Sequence, residues 1–339
     1  MSKTAETYTH THTHTHTGSF CCAFLGVFFT GLISFSLNTA FAEALDLNTA
    51  LQNTYRACAD IDDNLHDLKV LAGVNTAVTA VGTGLGVGAT ATGFVKASKD
   101  KEIERLEKIL EKLKNIESNM PSKPTNDVAS LQSGMDAYYN EHKNDSVTDA
   151  QSVQGQINDL TKQSKNLGNW RTGLLAGNTA TNIAGAVIAS KTINKDDIQG
   201  QIDNCISATK DLNNAILAAK LSGEDISEAQ SIYKACREYE YVDISPINKR
   251  GTGAMVASSI GAVTGGIGTI TSGVANSEKI RNDNTDAGKK KEKDLNTASN
   301  VLSIGATAAS ATATVFNATQ IAAIKKVAKV SESCTGVLK

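Results

Sequence analysis

Beyond residue 45, four long stretches of the chain carry no charged residue, and charged amphipathic stretches separate them. These uncharged segments, numbered first to fourth, run over residues 70–95, 172–190, 251–277 and 295–324. Gly, Ala, Ser and Thr dominate them, and small residues recur at every fourth position. Because residues four apart lie on one face of a helix, each row predicts a smooth face that another backbone can approach closely.

The candidate helix-packing residues are the glycines of these rows. They are Gly82, Gly86, Gly173, Gly177, Gly185, Gly261, Gly265, Gly273 and Gly305. Gly disfavours a helix in water, and Thr and Val favour strands. The segments nevertheless run for 19 to 30 residues without strict alternation, which favours a helix. A large side chain is expected to be tolerated poorly at Gly265 and better at Gly251, which lies at the edge of its segment.

The chain repeats one plan. A Tyr-basic-Ala-Cys motif stands at residues 55–58 and again at 233–236, and each copy continues through two uncharged segments to one further Cys. The predicted fold is therefore all-α, with two glycine-zipper helical hairpins that arose by internal duplication. Amphipathic and coiled-coil extensions complete it, because residues 100–118 place Ile103, Leu106, Leu110 and Leu113 in an a/d pattern.

The predicted boundaries follow this plan. Residues 1–42 form a signal peptide, because an uncharged apolar stretch at 20–37 precedes Ala40-Phe41-Ala42. Residues 43–222 form the first hairpin unit, with a long charged insert at 96–171, and residues 223–339 form the second. Between the hairpins, 202–221 and 226–239 have the pattern of two amphipathic helices joined near Gly223.

The expected mature chain keeps four cysteines, which suggest disulfides in an exported protein. The two ends of a helical hairpin lie together, which favours the pairs Cys58–Cys205 and Cys236–Cys334. The competing arrangement joins Cys58 to Cys236 and Cys205 to Cys334, and would tie the two copies together.

Membrane insertion and a soluble bundle are both open from the sequence. The segments have the length needed to cross a hydrocarbon core, and basic residues cluster in the two gaps inside the hairpins. Six amide side chains oppose insertion: Asn75, Asn178, Asn182, Asn300, Asn317 and Gln320. Basic residues that flank the third and fourth segments on the expected outer side also oppose it: Lys249, Arg250, Lys325, Lys326 and Lys329.

Candidate chemistry is sparse. The glycine-rich stretch 82–88 lacks the spacing of a phosphate-binding loop, and no catalytic, cofactor-binding or metal-binding set is predicted. A formal net charge of −2 gives no basic footprint for nucleic acid. We expect an exported, non-enzymatic structural or interaction protein without a small-molecule substrate, embedded in or associated with a membrane through Gly/Ala-rich helices that self-associate.

Two alternatives remain from the sequence. One is a secreted, membrane-active protein of the pore-forming type, and the other is a soluble periplasmic helical scaffold. The expected location is accordingly the inner membrane with periplasmic cysteines, or the periplasm or extracellular medium.

Overall fold

The computed structural model describes residues 46–119, 129–193, 196–283 and 285–338. The expected signal peptide at 1–42 lies outside these ranges. Within them every regular element is helical, so the all-α prediction is confirmed. The helices are α1 (Leu47–Cys58), α2 (Ile61–Asn119), α3 (Ala129–Ile193), α4 (Asp196–Ser222), α5 (Ser227–Cys236), a 3-10 turn (Arg237–Tyr241), α6 (Ser245–Ala275), α7 (Glu278–Arg281) and α8 (Asp286–Leu338).

The four long helices form an antiparallel four-helix bundle. Helix α2 packs against α3 and α8, and α6 packs against the same two helices from the opposite side. The chain runs up α2, down α3, up α6 and down α8, since Gly82 lies beside Thr181 whereas Gly93 lies beside Arg171. The two predicted hairpins thus pack side by side within one compact unit, Ala44–Lys339.

One buried seam runs along each bundle helix, with positions alternately three and four residues apart. In α2 it comprises residues 61, 65, 68, 72, 75, 79, 82, 86, 89, 93 and 96. In α8 it includes 299, 303, 306, 310, 313, 317, 320 and 324. This average spacing of 3.5 residues is the heptad period of left-handed coiled-coil packing, and it keeps each seam directed at the bundle axis.

The end of the bundle where α2 begins and α8 ends carries a small helical cap. Helices α1, α4 and α5 and the 3-10 turn pack there around large aliphatic side chains, which include Ile61, Leu65, Ile202, Leu212 and Ile324. The α4–α5 turn depends on Gly223, whose φ of 79° is left-handed. The Glu224 amide closes the helix end by donating to the Ala219 carbonyl at 3.0 Å.

The opposite end of the bundle is a coiled-coil extension. Helices α2 and α3 continue past α6, and Leu106, Leu110 and Ile157 form a second aliphatic cluster between them. Within the predicted charged insert at 96–171, the described residues 96–119 and 129–171 therefore lengthen α2 and α3. They do so with the heptad pattern that the sequence places at 103, 106 and 110.

Candidate membrane-spanning section

The bundle has a middle section, defined here as the parts of α2, α3, α6 and α8 that lie in the four uncharged segments. Its interior is small and polar. Besides Gly and Ala, most residues with 0% exposure there are polar: Asn75, Thr79, Asn178, Asn182, Ser258, Ser272, Ser299, Ser303, Ser310, Asn317 and Gln320. The aliphatic exceptions are Leu175, and Ile324 at the cap end. A soluble bundle normally fills such positions with Leu, Ile or Val.

The outer face of the middle section is aliphatic. Side chains between 42% and 69% exposed form what we call the apolar belt, which consists of Val70, Val74, Val81, Val87, Phe94, Val95, Ile183, Val187, Val256, Ile260, Val263, Ile267, Ile270, Val274, Val301, Ile304 and Val315. On α2, Val74 and Phe94 are twenty residues apart, or about 30 Å at 1.5 Å per residue. That height equals the thickness of a bilayer hydrocarbon core, about 30 Å.

The polarity of the bundle therefore changes twice along its axis. The cap is filled by large side chains such as Leu65 and Ile202, and the coiled-coil extension by Leu106, Leu110 and Ile157. Both ends thus fill their interiors with large apolar residues, as proteins in water do, although Leu217 and Leu221 of the cap are exposed. The middle section differs, because most of its aliphatic residues lie outside and its interior is mainly small and polar, which suits a lipid surrounding.

Amide and hydroxyl groups in the interior form hydrogen bonds between helices. Asn75 Nδ2 donates to Asn317 Oδ1 at 2.9 Å, which joins α2 to α8. Asn182 Nδ2 donates to Ser310 Oγ at 2.8 Å, and Ser310 Oγ donates to Asn178 Oδ1 at 3.1 Å, which joins α3 to α8. Five of the six amides that oppose insertion in the sequence are therefore fully buried in the interior, and Asn300 is half-buried. The five buried amides would not contact lipid.

Five of the nine candidate glycines lie in the seams. A Cβ atom at Gly82 would come 2.5 Å from Thr181 Oγ1, and one at Gly265 would come 2.7 Å from Thr179 Oγ1. At Gly86, Gly185 and Gly261 a Cβ would also lie within 3 Å of a neighbouring helix. Such distances are below van der Waals contact, so these positions need Gly for the helices to approach as they do.

The other candidate glycines lie at the edge of a seam or outside it. A Cβ atom at Gly177 would meet Leu85 at 3.0 Å and one at Gly305 would reach only Thr264 at 4.0 Å, whereas Gly173 and Gly273 have open space. The reason is geometric: four residues turn a helix by about 400°, so a row of that spacing drifts by about 40° per step. The expectation for Gly251 also needs correction, because its Cβ would lie 2.8 Å from Gln320 Nε2.

Two buried cations mark the boundary between the middle section and the extension. Lys96 is 1% exposed, and its Nζ lies 2.7 Å from Asp100 Oδ2 and 3.5 Å from Glu292 Oε1. Arg171 is equally buried beside Gly93, and its Nε and Nη2 have no hydrogen-bond partner among the described residues. Sequence reasoning missed both, although each occupies a seam position where the 3-4 spacing continues from the aliphatic residues of the extension.

The four cysteines meet inside the cap in the favoured pairing. The sulfur atoms of Cys58 and Cys205 lie 1.97 Å apart, and those of Cys236 and Cys334 lie 1.94 Å apart. The two disulfides are neighbours, since the sulfurs of Cys58, Cys236 and Cys334 lie within 4.8 Å of one another. Three sulfurs at that spacing resemble a metal-binding set, but sulfurs bonded in disulfides are not thiolate ligands.

Three helical stretches are long and apolar enough to cross a membrane by length and composition: Leu47–Asn115, Ser245–Ala275 and Asp286–Leu338. Only 28% to 33% of the residues in their most apolar windows are buried. The second uncharged segment, in α3, is not among the three, although it packs beside α2 and α6 in the same bundle.

Comparisons with protein-family models, with curated proteins and with solved structures find no match to this chain.

Proposed function

We propose that this chain is an exported, non-enzymatic membrane protein whose middle section spans the bilayer as a four-helix bundle. The observation that carries the proposal is the change of polarity along the axis. Interior residues such as Asn317 and Gln320 are fully buried, whereas Val263 and Ile270 on the outside are 61% and 69% exposed. In lipid this arrangement is favourable, because the outer face meets acyl chains and polar residues such as Asn75 and Asn317 bond to one another in the interior.

The proposal explains the small interior residues. Lipid chains are as apolar as Leu, so burying Leu between helices gains little in a membrane. Close backbone approach and interhelical hydrogen bonds supply the association instead. Gly82 and Gly265 provide such approach, and the contact between Asn75 and Asn317 provides such a bond. Within one chain the small-residue faces of the four helices already pack against one another. Self-association between copies of the chain is therefore a separate part of the proposal.

The proposed orientation places the cap outside the cell membrane and the coiled-coil extension inside. Disulfides persist in oxidising compartments, and both pairs lie in the cap. Basic residues close to the membrane are retained on the cytoplasmic side. Such residues stand at the extension end of the bundle, on α2 from Lys96 to Lys114 and in the α6–α8 connection from Lys279 to Lys293.

Alkaline carbonate extraction of membranes from the native cell tests membrane insertion. An integral bundle stays in the pellet, whereas release of the chain into the supernatant contradicts the proposal.

Labelling with an impermeant thiol reagent in intact cells tests orientation, with the native cysteines replaced by Ser. A cysteine introduced at Leu221, which lies in the cap and is 90% exposed, is expected to react, and cysteines at Asn115 or Ala287 are expected to be protected. Equal labelling at all three sites contradicts a spanning arrangement.

A second candidate function is membrane activity of the pore-forming type. The polar interior favours it, because amide and hydroxyl residues follow the axis of α8 from Ser299 to Gln320. These positions are 21 residues apart, or about 32 Å along the helix, so the row is as long as a hydrocarbon core is thick. Leakage of a dye from vesicles after addition of the purified chain tests this candidate, and intact vesicles that hold the inserted chain argue against it.

The apolar belt argues against the soluble scaffold. Monomeric soluble proteins rarely expose contiguous apolar patches larger than a few hundred Å². On α6 alone, six aliphatic residues of the belt are at least 42% exposed, and they recur at every turn between Val256 and Val274. A scaffold dissolved in water would need a partner to cover this surface.

A further inference from the structure

One face of α8 changes from basic to apolar where the helix enters the middle section. Six residues of this helix alone line a shallow and open surface depression, here called the groove: Ala287, Lys290, Lys291, Asp294, Leu295 and Ala298. Their spacing of three and four residues places them on a single side of the helix. The basic end of the groove lies toward the coiled-coil extension.

The two lysines of the groove are open to a ligand. Both Lys290 and Lys291 are exposed, and neither lies in an ion pair with a described residue. The preceding residue differs, because Lys289 Nζ lies 2.8 Å from Glu107 Oε2 on α2. The lysine pair therefore presents two positive charges, with the Asp294 carboxylate between them and the apolar end and with the Asp283 carboxylate near Lys291.

The apolar end of the groove runs into the apolar belt. Leu295 and Ala298 are followed on the same side by Val301, which is 64% exposed, and then by Ile304 on the adjoining strip. Lys291 lies one turn before Leu295, about 6 Å along the helix. With the belt in the hydrocarbon core, the lysines stand at the depth of the lipid headgroups, which occupy about 5–8 Å on each side.

We propose that this groove binds one anionic phospholipid whose headgroup carries a hydroxyl, such as a phosphatidylglycerol. The ammonium groups of Lys290 and Lys291 contact the phosphate, and an acyl chain lies along Leu295, Ala298 and Val301. The Asp294 carboxylate accepts a hydrogen bond from the headgroup hydroxyl, which disfavours anionic headgroups that lack one. The inference rests on the proposed membrane setting.

The test is native mass spectrometry of the full chain in detergent, titrated with dimyristoyl phosphatidylglycerol. K290Q/K291Q removes both charges from exposed positions without burying a polar group. K325Q/K326Q is the matched control, because Lys325 and Lys326 are also consecutive, exposed residues of α8 but lie at the cap end. A basic residue near an anionic surface contributes about fivefold in affinity, so K290Q/K291Q is expected to weaken binding by at least about tenfold. The control is expected to match the wild type.

Three outcomes would overturn the proposal: equal weakening by both variants, no weakening by K290Q/K291Q, or equal binding of phosphatidylethanolamine by the wild type. D294N adds a second readout and is expected to narrow the preference for phosphatidylglycerol over phosphatidic acid. Carbonate extraction of the same variants separates the two proposals. A chain that stays in the membrane but shows no lipid preference disproves only the groove, whereas a chain released by carbonate disproves the membrane setting.

Discussion

The side-chain amides of Asn75 and Asn317 meet across the bundle axis, where Asn75 Nδ2 donates to Asn317 Oδ1 at 2.9 Å. The two residues are 242 positions apart in sequence, and both are fully buried. Asn317 Nδ2 also donates to Thr79 Oγ1 at 3.4 Å. Three polar side chains thus tie the first helix of the bundle to the last, at a level where the outer face is aliphatic.

A double-mutant cycle measures this contact. Asn75→Ala and Asn317→Ala are each expected to destabilise the bundle, because each leaves a buried amide unpaired. Interhelical hydrogen bonds in membrane proteins average about 0.6 kcal/mol in such cycles and reach about 1.7 kcal/mol. Unfolding in mixed micelles should give a coupling in that range. Strictly additive effects would show that the two amides do not interact.

Substituting two glycines of α6 tests the assignment of the seam. Gly265→Leu is expected to destabilise the bundle by at least about 1–3 kcal/mol, because the new side chain overlaps Thr179. Gly273→Leu is the control, since it adds the same side chain to the same helix in open space. Thermal unfolding in detergent compares them. Equal tolerance at the two sites would contradict the position of the seam.

Two lysines of α2 allow the contribution of a buried ion pair to stability to be compared with that of an exposed one. Lys96→Met removes the counter-ion of Asp100 at a position that is 1% exposed, and is expected to cost roughly 1–3 kcal/mol. Lys108→Met breaks a similar pair four residues apart with Glu104, where the lysine side chain is 68% exposed, so little change is expected. Chemical unfolding of both variants is the measurement. If the Lys96 variant is as stable as the Lys108 variant, the ion pair of Lys96 is not buried as described.

The neighbouring disulfides predict the products of partial reduction. Peptide mapping of the untreated chain is expected to give Cys58–Cys205 and Cys236–Cys334. Once Cys58 is freed, its thiolate lies within reach of Cys236 and Cys334, so crossed pairs should accumulate at alkaline pH. Acid quenching should suppress them, because the thiolate is the attacking species. Crossed pairs in the untreated chain would contradict the arrangement of the cap.

Local patterns in the sequence are sufficient to predict most of the helices. The two amphipathic helices expected at 202–221 and 226–239 correspond to α4, to α5 and to the 3-10 turn, and their junction lies at Gly223. Hairpin geometry likewise favours the observed cysteine pairs. These features depend on residues close in sequence, or on the ends of one hairpin.

Which side of each helix points into the bundle is harder to predict from the sequence. Rows of small residues four apart drew attention to Gly173 and Gly273, whereas the buried seam follows an alternation of three and four. The inward orientation of Asn75 and Asn317 depends on the packing of α2 against α8, which joins distant parts of the chain. The heptad spacing from Ser303 through Ser310 to Asn317 was the available signal for it.

The most direct test of the central claim is the surroundings of Val263 in membranes. Val263 lies on the outer face of α6 near the middle of the apolar belt and is 61% exposed. A spin label is placed there in a chain whose native cysteines are replaced, and Leu217 in the cap, 56% exposed, is the control. We expect the Val263 label to collide often with oxygen and to be shielded from a water-soluble nickel chelate. The Leu217 label is expected to be accessible to the chelate and to collide less often with oxygen. Equal access of the chelate to both labels would show that the middle section does not lie in lipid.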